Sequence, residues 1–456
     1  MLFRSQGASQ SDPTRGSPIL FTLTSNEALA SASVSASDFT VTNGAISDIS
    51  CTDATCTISV TPTADGNVSV APSGTFSVSD LAGNAQSSAF GSDRTVTYDT
   101  TGPVVSLTQA AGQADPTNSS SIQFTLTSNE ALDAATVTSS DFTVTGGAIN
   151  SVSCTGTTCT ITTTASGQGD VAIAPSGAFS VADGLGNTTT TASGTDRTVT
   201  YDSVAPVATL TQGADQVDPT NGADLVFTFT TNEPVVADSV TADDFAVSGG
   251  AITAVTGSGS TYAIAVTAAG DGTVAIAPSL AFAVEDPAGN VTTSAGGADR
   301  SVVYDSTSAV VSLEQAAGQA DPAKNAAIAF TFSSSEDLRS ASVTTADFDA
   351  TNGKIASVTG SGDTYTVTVT ATTDGDVSIA PSGAFSVADP GGNTTTVAGG
   401  TDRTVVYDAT APTVTLEQAA GQADPAKNAT IRFTLSASET LQTGSVTVAD
   451  FTATNG

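Results

Sequence analysis

Asp99, Glu130, Asp183 and Asn187 carry side-chain oxygens, and residues of the same or similar type return 103 positions later as Asp202, Glu233, Asp286 and Asn290, then as Asp305, Glu336, Asp389 and Asn393. Carboxylates and amides in loops are the ligands of hard cations, and Ca²⁺ takes six to eight such oxygens. Asp12, Asp115 and Asp218, each followed by proline, keep the same step and join the candidate set. The competing assignment is turn chemistry. Asp and Asn in loops accept hydrogen bonds from backbone N–H groups two or more residues on, and Asp-x-x-Gly-Asn at Asp80, Asp183, Asp286 and Asp389 suits that role. No EF-hand loop and no glycine-rich nonapeptide array is present.

Other chemistries find less support. The chain has no histidine, so histidine general bases, His-containing triads and His metal ligands are excluded. No phosphate-loop motif occurs. Carboxylate pairs abound, but a glycosidase centre would not recur at every repeat. The expectation is a chain that is not an enzyme. Arg94, Arg197, Arg300 and Arg403 each follow an Asp and precede a strand-like run, which suggests ion pairs within the repeat, worth up to about 1 kcal/mol if exposed.

The four cysteines fall in two pairs, Cys51/Cys56 and Cys154/Cys159, each flanking four turn residues between strand-like runs. Facing positions of a hairpin lie within disulfide range, and a four-ligand metal site lacks its other two ligands. Disulfides Cys51–Cys56 and Cys154–Cys159 imply an oxidising, extracellular setting. Gly257/Tyr262 and Gly360/Tyr365 stand at the same places later in the chain, so the crosslink is optional.

These residues must be positioned by a repeated scaffold. Asp-Pro recurs at Asp12, Asp115, Asp218, Asp321 and Asp424, and Tyr-Asp at Tyr98, Tyr201, Tyr304 and Tyr407, without a break in the 103-residue step. The 456 residues therefore divide into repeats 1–103, 104–206, 207–309 and 310–412, with 413–456 the start of a fifth. The fifth stops at Gly456, inside a turn, so a longer array is expected. Met1–Arg4 stand where Val104–Leu107 stand in the second repeat and match them poorly. The expectation there is a foreign, adapter-like segment in place of the first strand.

Within the second repeat, Ile122, Phe124 and Leu126 alternate with Gln123, Thr125 and Thr127, the pattern of a half-buried strand. Val105 and Leu107 suggest a strand before it. Phe142 and Val144 open another, with Gly146-Gly147 turning the chain back. Ile149–Ser153, Thr160–Thr163, Val171–Ile173, Phe179–Val181 and Val199–Tyr201 follow. Seven or eight short strands in 103 residues give an all-β fold of tandem Ig-like antiparallel β-sandwiches in an extended array. Short linkers carrying Pro103, Pro206 and Pro412, with Ala309 in the third, limit swing between repeats. In such an order the loop after the second strand and the loop before the last strand share one pole. Asp99 and Asp12 would then meet Glu130, Asp183 and Asn187 of the next repeat across a junction.

A net charge of −34 repels nucleic acid and anionic membranes, and no apolar run is long enough to span a bilayer. Neither nucleic acid nor a membrane-inserted segment is expected as a partner.

Asp80-Leu81-Ala82-Gly83-Asn84, Arg94–Pro103, and Ser25-Asn26-Glu27 with Ser37-Asp38-Phe39 resemble the bacterial Ig-like repeats of large secreted or cell-surface adhesins, and the resemblance covers essentially the whole chain. It implies a structural extender or stalk, located outside the cell, between an anchor and a distal adhesive domain, with Ca²⁺ at domain junctions in some members. A module that itself grips a glycan or a cell-surface protein, and accessory repeats of a secreted enzyme, stay open as alternatives.

Overall fold

Strand Ser121–Ser128 buries Ile122, Phe124 and Leu126 and leaves the residues between them exposed or half-buried, which is the period-two pattern of a sheet wet on one face. The computed structural model describes residues 3–89 and 91–455. Met1, Leu2 and Gly456, which bear on the two chain ends, lie outside them.

In the second repeat the larger sheet runs, in spatial order, Gly147–Thr155, Thr158–Ala165, Ser121–Ser128, Val105–Gln109 and Ala192–Ser193. Its pairs are antiparallel except the last, where Val105 lies opposite Ala192 in parallel. The smaller sheet runs Phe142–Thr145, Gly169–Pro175 and Thr198–Tyr201. Leu107, Phe124, Leu126 and Ile161 from the first sheet close on Phe142, Val171, Ile173 and Val199 from the second as one core. A third, two-stranded ribbon, Val181–Ala182 with Thr188–Thr189, carries the Asp183–Asn187 turn between its arms. This is an all-β, Ig-like sandwich. The same pairings recur in the third repeat, while in the fourth Gly353–Ala371 is a single long strand beside Ala327–Leu338 in a four-stranded larger sheet.

The chain forms two compact units. One holds residues 1–207 with 233–239 and 283–292, the other residues 208–232, 240–282 and 293–456. In the first, Phe3–Gln6 pairs with Ile19–Thr24, Phe3 opposite Thr24, the register in which Val105–Gln109 pairs with Ser121–Ser128. The poorly matching N-terminal segment thus still supplies the strand, since ladder bonds come from the backbone and tolerate its changed side chains. In the second, Phe332 stacks edge-on against Phe348 and Phe385, so the recurrent aromatics fill the core.

Two expectations are corrected. Gly146-Gly147 does not turn a hairpin, because Phe142–Thr145 and Gly147–Thr155 belong to different sheets. The glycines pass the chain between them. Gly146 has φ +74°, and a Cβ there would stand 2.1 Å from the Asp170 carbonyl oxygen. Asn43 and Asn352 hold the place at φ 56° in the first and fourth repeats. Two of the four arginines expected in ion pairs, Arg197 and Arg403, hold carbonyls instead. Arg197 Nη2 donates to Ala192 O at 2.8 Å and Ser193 O at 2.7 Å, and Arg403 Nη2 donates to Ala398 O at 2.8 Å and to Gly399 O. A two-residue edge strand has few ladder bonds, and the guanidinium supplies the rest.

Cys51 is disulfide-bonded to Cys56, and Cys154 to Cys159, with Cα atoms 3.9 and 4.0 Å apart at facing positions of one hairpin. At the same place Gly257 faces Tyr262, whose buried ring packs 6.1 Å from Phe229. There an aromatic contact fills the space that the disulfide fills in the earlier repeats.

Candidate metal centre

The Asp183–Asn187 turn is built by its own side chains. Asp183 Oδ1 accepts from Leu185 N and Asn187 N, both at 2.8 Å, and Oδ2 accepts from Asn187 Nδ2 at 2.8 Å. Burial of the Asp183 carboxylate is nearly complete, at 3% exposure. Asn187 Nδ2 also donates to the backbone carbonyl of Asp99 at 3.1 Å, and so holds the residue that follows the last strand of the preceding repeat. Asp286 and Asn290 repeat this arrangement, with Asn290 Nδ2 on Asp202 O at 2.9 Å.

Around each turn three carboxylates converge. Asp99, Glu130 and Asp183 each bring an oxygen within 4.8 Å of the others, as do Asp202, Glu233 and Asp286, and Asp305, Glu336 and Asp389. Oxygens bound to one Ca²⁺ at 2.3–2.6 Å are at most about 5.2 Å apart, so the spacing suits a shared ion of that size. Pro13, Ala131, Gly184 and Leu185 complete the walls of the cleft at the first cluster. The donors are all oxygen, which selects a hard cation over zinc or copper.

The fourth repeat adds a second indication. Asp389 is fully buried, and its Oδ1 accepts from Gly392 N at 2.7 Å and Asn393 N at 2.9 Å. Its Oδ2 is buried without a hydrogen-bond partner, because Asn393 Nδ2 turns instead to Asp305 O at 2.8 Å and Thr307 O at 3.3 Å. A buried, unpartnered carboxylate oxygen costs more than a neutral orphan would, and a cation among Asp305, Glu336 and Asp389 would satisfy it. Turn chemistry therefore accounts for Oδ1 and does not account for Oδ2.

Crowding of like charge is visible in the glutamates. Burial first, then the charges of Asp99, Asp183 and Asp65, push the Glu130 carboxyl above its ordinary 4.5. Glu233 and Glu336 are raised in the same way, each by burial and then by its neighbouring aspartates. A carboxyl raised by folding holds a proton more readily in the folded chain, so each glutamate lowers stability progressively as pH rises from 4.5 through its raised value. In chelator, the chain carrying E130Q, E233Q and E336Q together is expected to lose part of the fall in melting temperature between about pH 4.5 and 7. Thermal melting across that range, against the unsubstituted chain, checks it.

The structure places the remaining candidates elsewhere. Asp12, Asp115 and Asp218 lie outside the clusters. Their Oδ1 atoms accept from Thr97 N at 2.9 Å, Thr200 N at 2.9 Å and Val303 N at 2.8 Å, fastening the Asp-Pro segment to the last strand of the same repeat. Asn187, Asn290 and Asn393 touch the site through Nδ2 donors, as braces for the linker.

Sequence reasoning missed the outer contacts. Arg15 Nη1 donates to Gly186 O at 2.7 Å, and Asn118 Nδ2, one repeat step later, donates to Gly289 O at 2.8 Å. Asp65 holds the linker by accepting from Thr100 N and Thr100 Oγ1, both at 2.9 Å. Position 65 returns as Gln168, Asp271 and Asp374, which was the available signal there, whereas position 15 returns as Asn118, Asn221 and Lys324 and carries none.

No family model matches the chain, and no curated protein is similar to it. Among solved structures it is similar to invasin, described as a bacterial integrin-binding protein, at 12% identity and a TM-score of 0.37, over 92% of this chain and 82% of that one. It is also similar to domains 4–9 of the surface layer protein SbsC, at 12% identity and a TM-score of 0.21, over 97% and 71%. At these values neither likeness decides what this chain does. Among the described residues no helix is long and apolar enough to cross a membrane.

Proposed function

We propose that the chain is a stalk segment of a bacterial surface or secreted adhesin, in which Ca²⁺ at the acidic clusters fixes successive repeats. Each repeat is taken as one Ig-like domain, with bounds 1–103, 104–206, 207–309 and 310–412 and a fifth beginning at 413. One observation carries the reading. Every cluster draws its first carboxylate from the residue that follows the last strand of one repeat, and the other two from the next repeat, both from loops except Glu336, which stands near the end of strand Ala327–Leu338.

An ion held there is bonded to both repeats and restrains the linker between them. Without the ion, three carboxylates repel across the same gap. Recurrence of one arrangement at three junctions fits a structural part used again along a rod. The two disulfides agree with an oxidising location outside the cell. The adhesive target would be met by domains flanking this segment, through a glycan or a cell-surface protein.

Small-angle scattering of the full chain tests the proposal. A larger maximum dimension in millimolar Ca²⁺ than in chelator is the expected result. Superimposable curves would count against a calcium-stiffened stalk.

A further inference from the structure

The three clusters are not equivalent, and the difference lies one layer behind the carboxylates. At the first, Asp65 grips the linker through Thr100 and also through Thr101 Oγ1. Behind the third, Asp271 accepts from Ser306 N at 2.8 Å and Ser306 Oγ at 2.7 Å. Behind the middle cluster the same place is held by Gln168, whose Oε1 accepts from Ser203 N at 2.9 Å. The amide keeps the grip on the linker and removes the charge.

Gln168 also does something that an aspartate cannot. Its Nε2 donates to Asp202 Oδ1 at 2.8 Å, the oxygen that already accepts from Val204 N at 3.0 Å. The equivalent oxygens, Asp99 Oδ1 and Asp305 Oδ1, accept from Thr101 N at 3.0 Å and Thr307 N at 3.1 Å. An oxygen with two N–H donors has less electron density to offer a cation. The middle junction therefore has one carboxylate fewer nearby and one cluster carboxylate partly neutralised.

We infer that Asp202, Glu233 and Asp286 form the weakest of the three cation sites, and that Gln168 is the residue that sets its affinity. This rests on the reading of the clusters as Ca²⁺ sites, for which the buried, unpartnered Asp389 Oδ2 is the independent observation. Ligand charge is a main lever on calcium affinity. A stalk built like this would stiffen in two steps as calcium rises, with the middle junction the last to set.

Equilibrium dialysis of the full, chelator-stripped chain against radioactive Ca²⁺ at neutral pH provides the test. The expected result is two tighter sites and one that is roughly tenfold weaker, a factor worth about 1.4 kcal/mol. E233Q should remove the weak class, and E130Q or E336Q a tight one. Q168D, which installs the residue found at positions 65, 271 and 374, should bring the weak class up to the others. D271Q should weaken the third site by a similar factor. Three equal affinities, loss of a tight site in E233Q, or unchanged affinity in both Q168D and D271Q would overturn the inference and leave the stalk proposal standing. No calcium uptake at all would overturn both.

Discussion

Asp389→Asn is expected to change the sign of its effect with calcium. In chelator the substitution removes a buried negative charge whose Oδ2 has no partner and leaves an oxygen at the Oδ1 position for Gly392 N and Asn393 N, so stability should hold or rise. In Ca²⁺ the same change removes a ligand from the cluster of Asp305, Glu336 and Asp389. Binding to the folded state alone contributes about 2.7 kcal/mol at a hundredfold excess over Kd, and most of that should be lost. Asp80→Asn is the control. Asp80 holds the same turn in the first repeat, with Oδ2 accepting from Asn84 Nδ2 at 2.7 Å, and it belongs to none of the three clusters. Its substitution should cost a similar small amount with and without calcium. Melting of both variants in Ca²⁺ and in chelator separates turn chemistry from metal binding. Parallel behaviour of the two would leave Asp389 as a turn residue alone.

Asp141→Ala is expected to be the costliest single change outside the clusters, at about 3 kcal/mol, and to be indifferent to calcium. Asp141 is 5% exposed and ties its own turn to the stretch that holds Ser180. Its Oδ2 accepts from Thr138 N at 2.7 Å and Thr138 Oγ1 at 2.8 Å, closing a capping box on the Ser139–Asp141 turn, while Oδ1 accepts from Ser180 N at 3.1 Å. Truncation strands two backbone N–H groups in a half-buried setting. A chain of several repeats need not unfold in one step, so the readout is hydrogen exchange. Peptides from residues 121–201 should lose protection while those from the fourth repeat keep theirs. Unchanged protection in the second repeat would contradict this role.

Asp141 shows how much of the molecule was legible in the sequence. Phe142 read correctly as a strand opening, and Thr138-x-x-Asp141 has the spacing of a capping box, the local signal that the carboxylate folds back onto Thr138, but nothing local names Ser180 as its other partner. Alternation at Ile122, Phe124 and Leu126 gave the buried face, because strand side chains must alternate. It could not give the partner strand. Gly146-Gly147 suits a hairpin turn and a crossing between sheets equally, since both need a residue at positive φ, and only the packed sheets choose.

The cluster was legible because its members recur in step, and chain order put their loops at one pole. Asp12 recurs just as regularly yet faces its own last strand, a choice of side-chain direction that spacing does not encode. Arg197 looked like half of an ion pair in so acidic a chain, and its partners proved to be carbonyls, which have no sequence signature. Gln168 was hidden for a different reason. Among the aspartates at positions 65, 271 and 374 it reads as an ordinary exchange, until Nε2 is found on a cluster carboxylate.

The most direct test of the account is a crystal structure of the chain grown in calcium. Three density peaks are expected, one between Asp99, Glu130 and Asp183, one between Asp202, Glu233 and Asp286, and one between Asp305, Glu336 and Asp389. Carboxylate oxygens should stand at about 2.3–2.6 Å from each, with calcium anomalous signal at the peaks. Clusters holding only water, or carboxylates splayed apart with no ion between them, would contradict the account and leave the acidic loops as turn residues and surface charge.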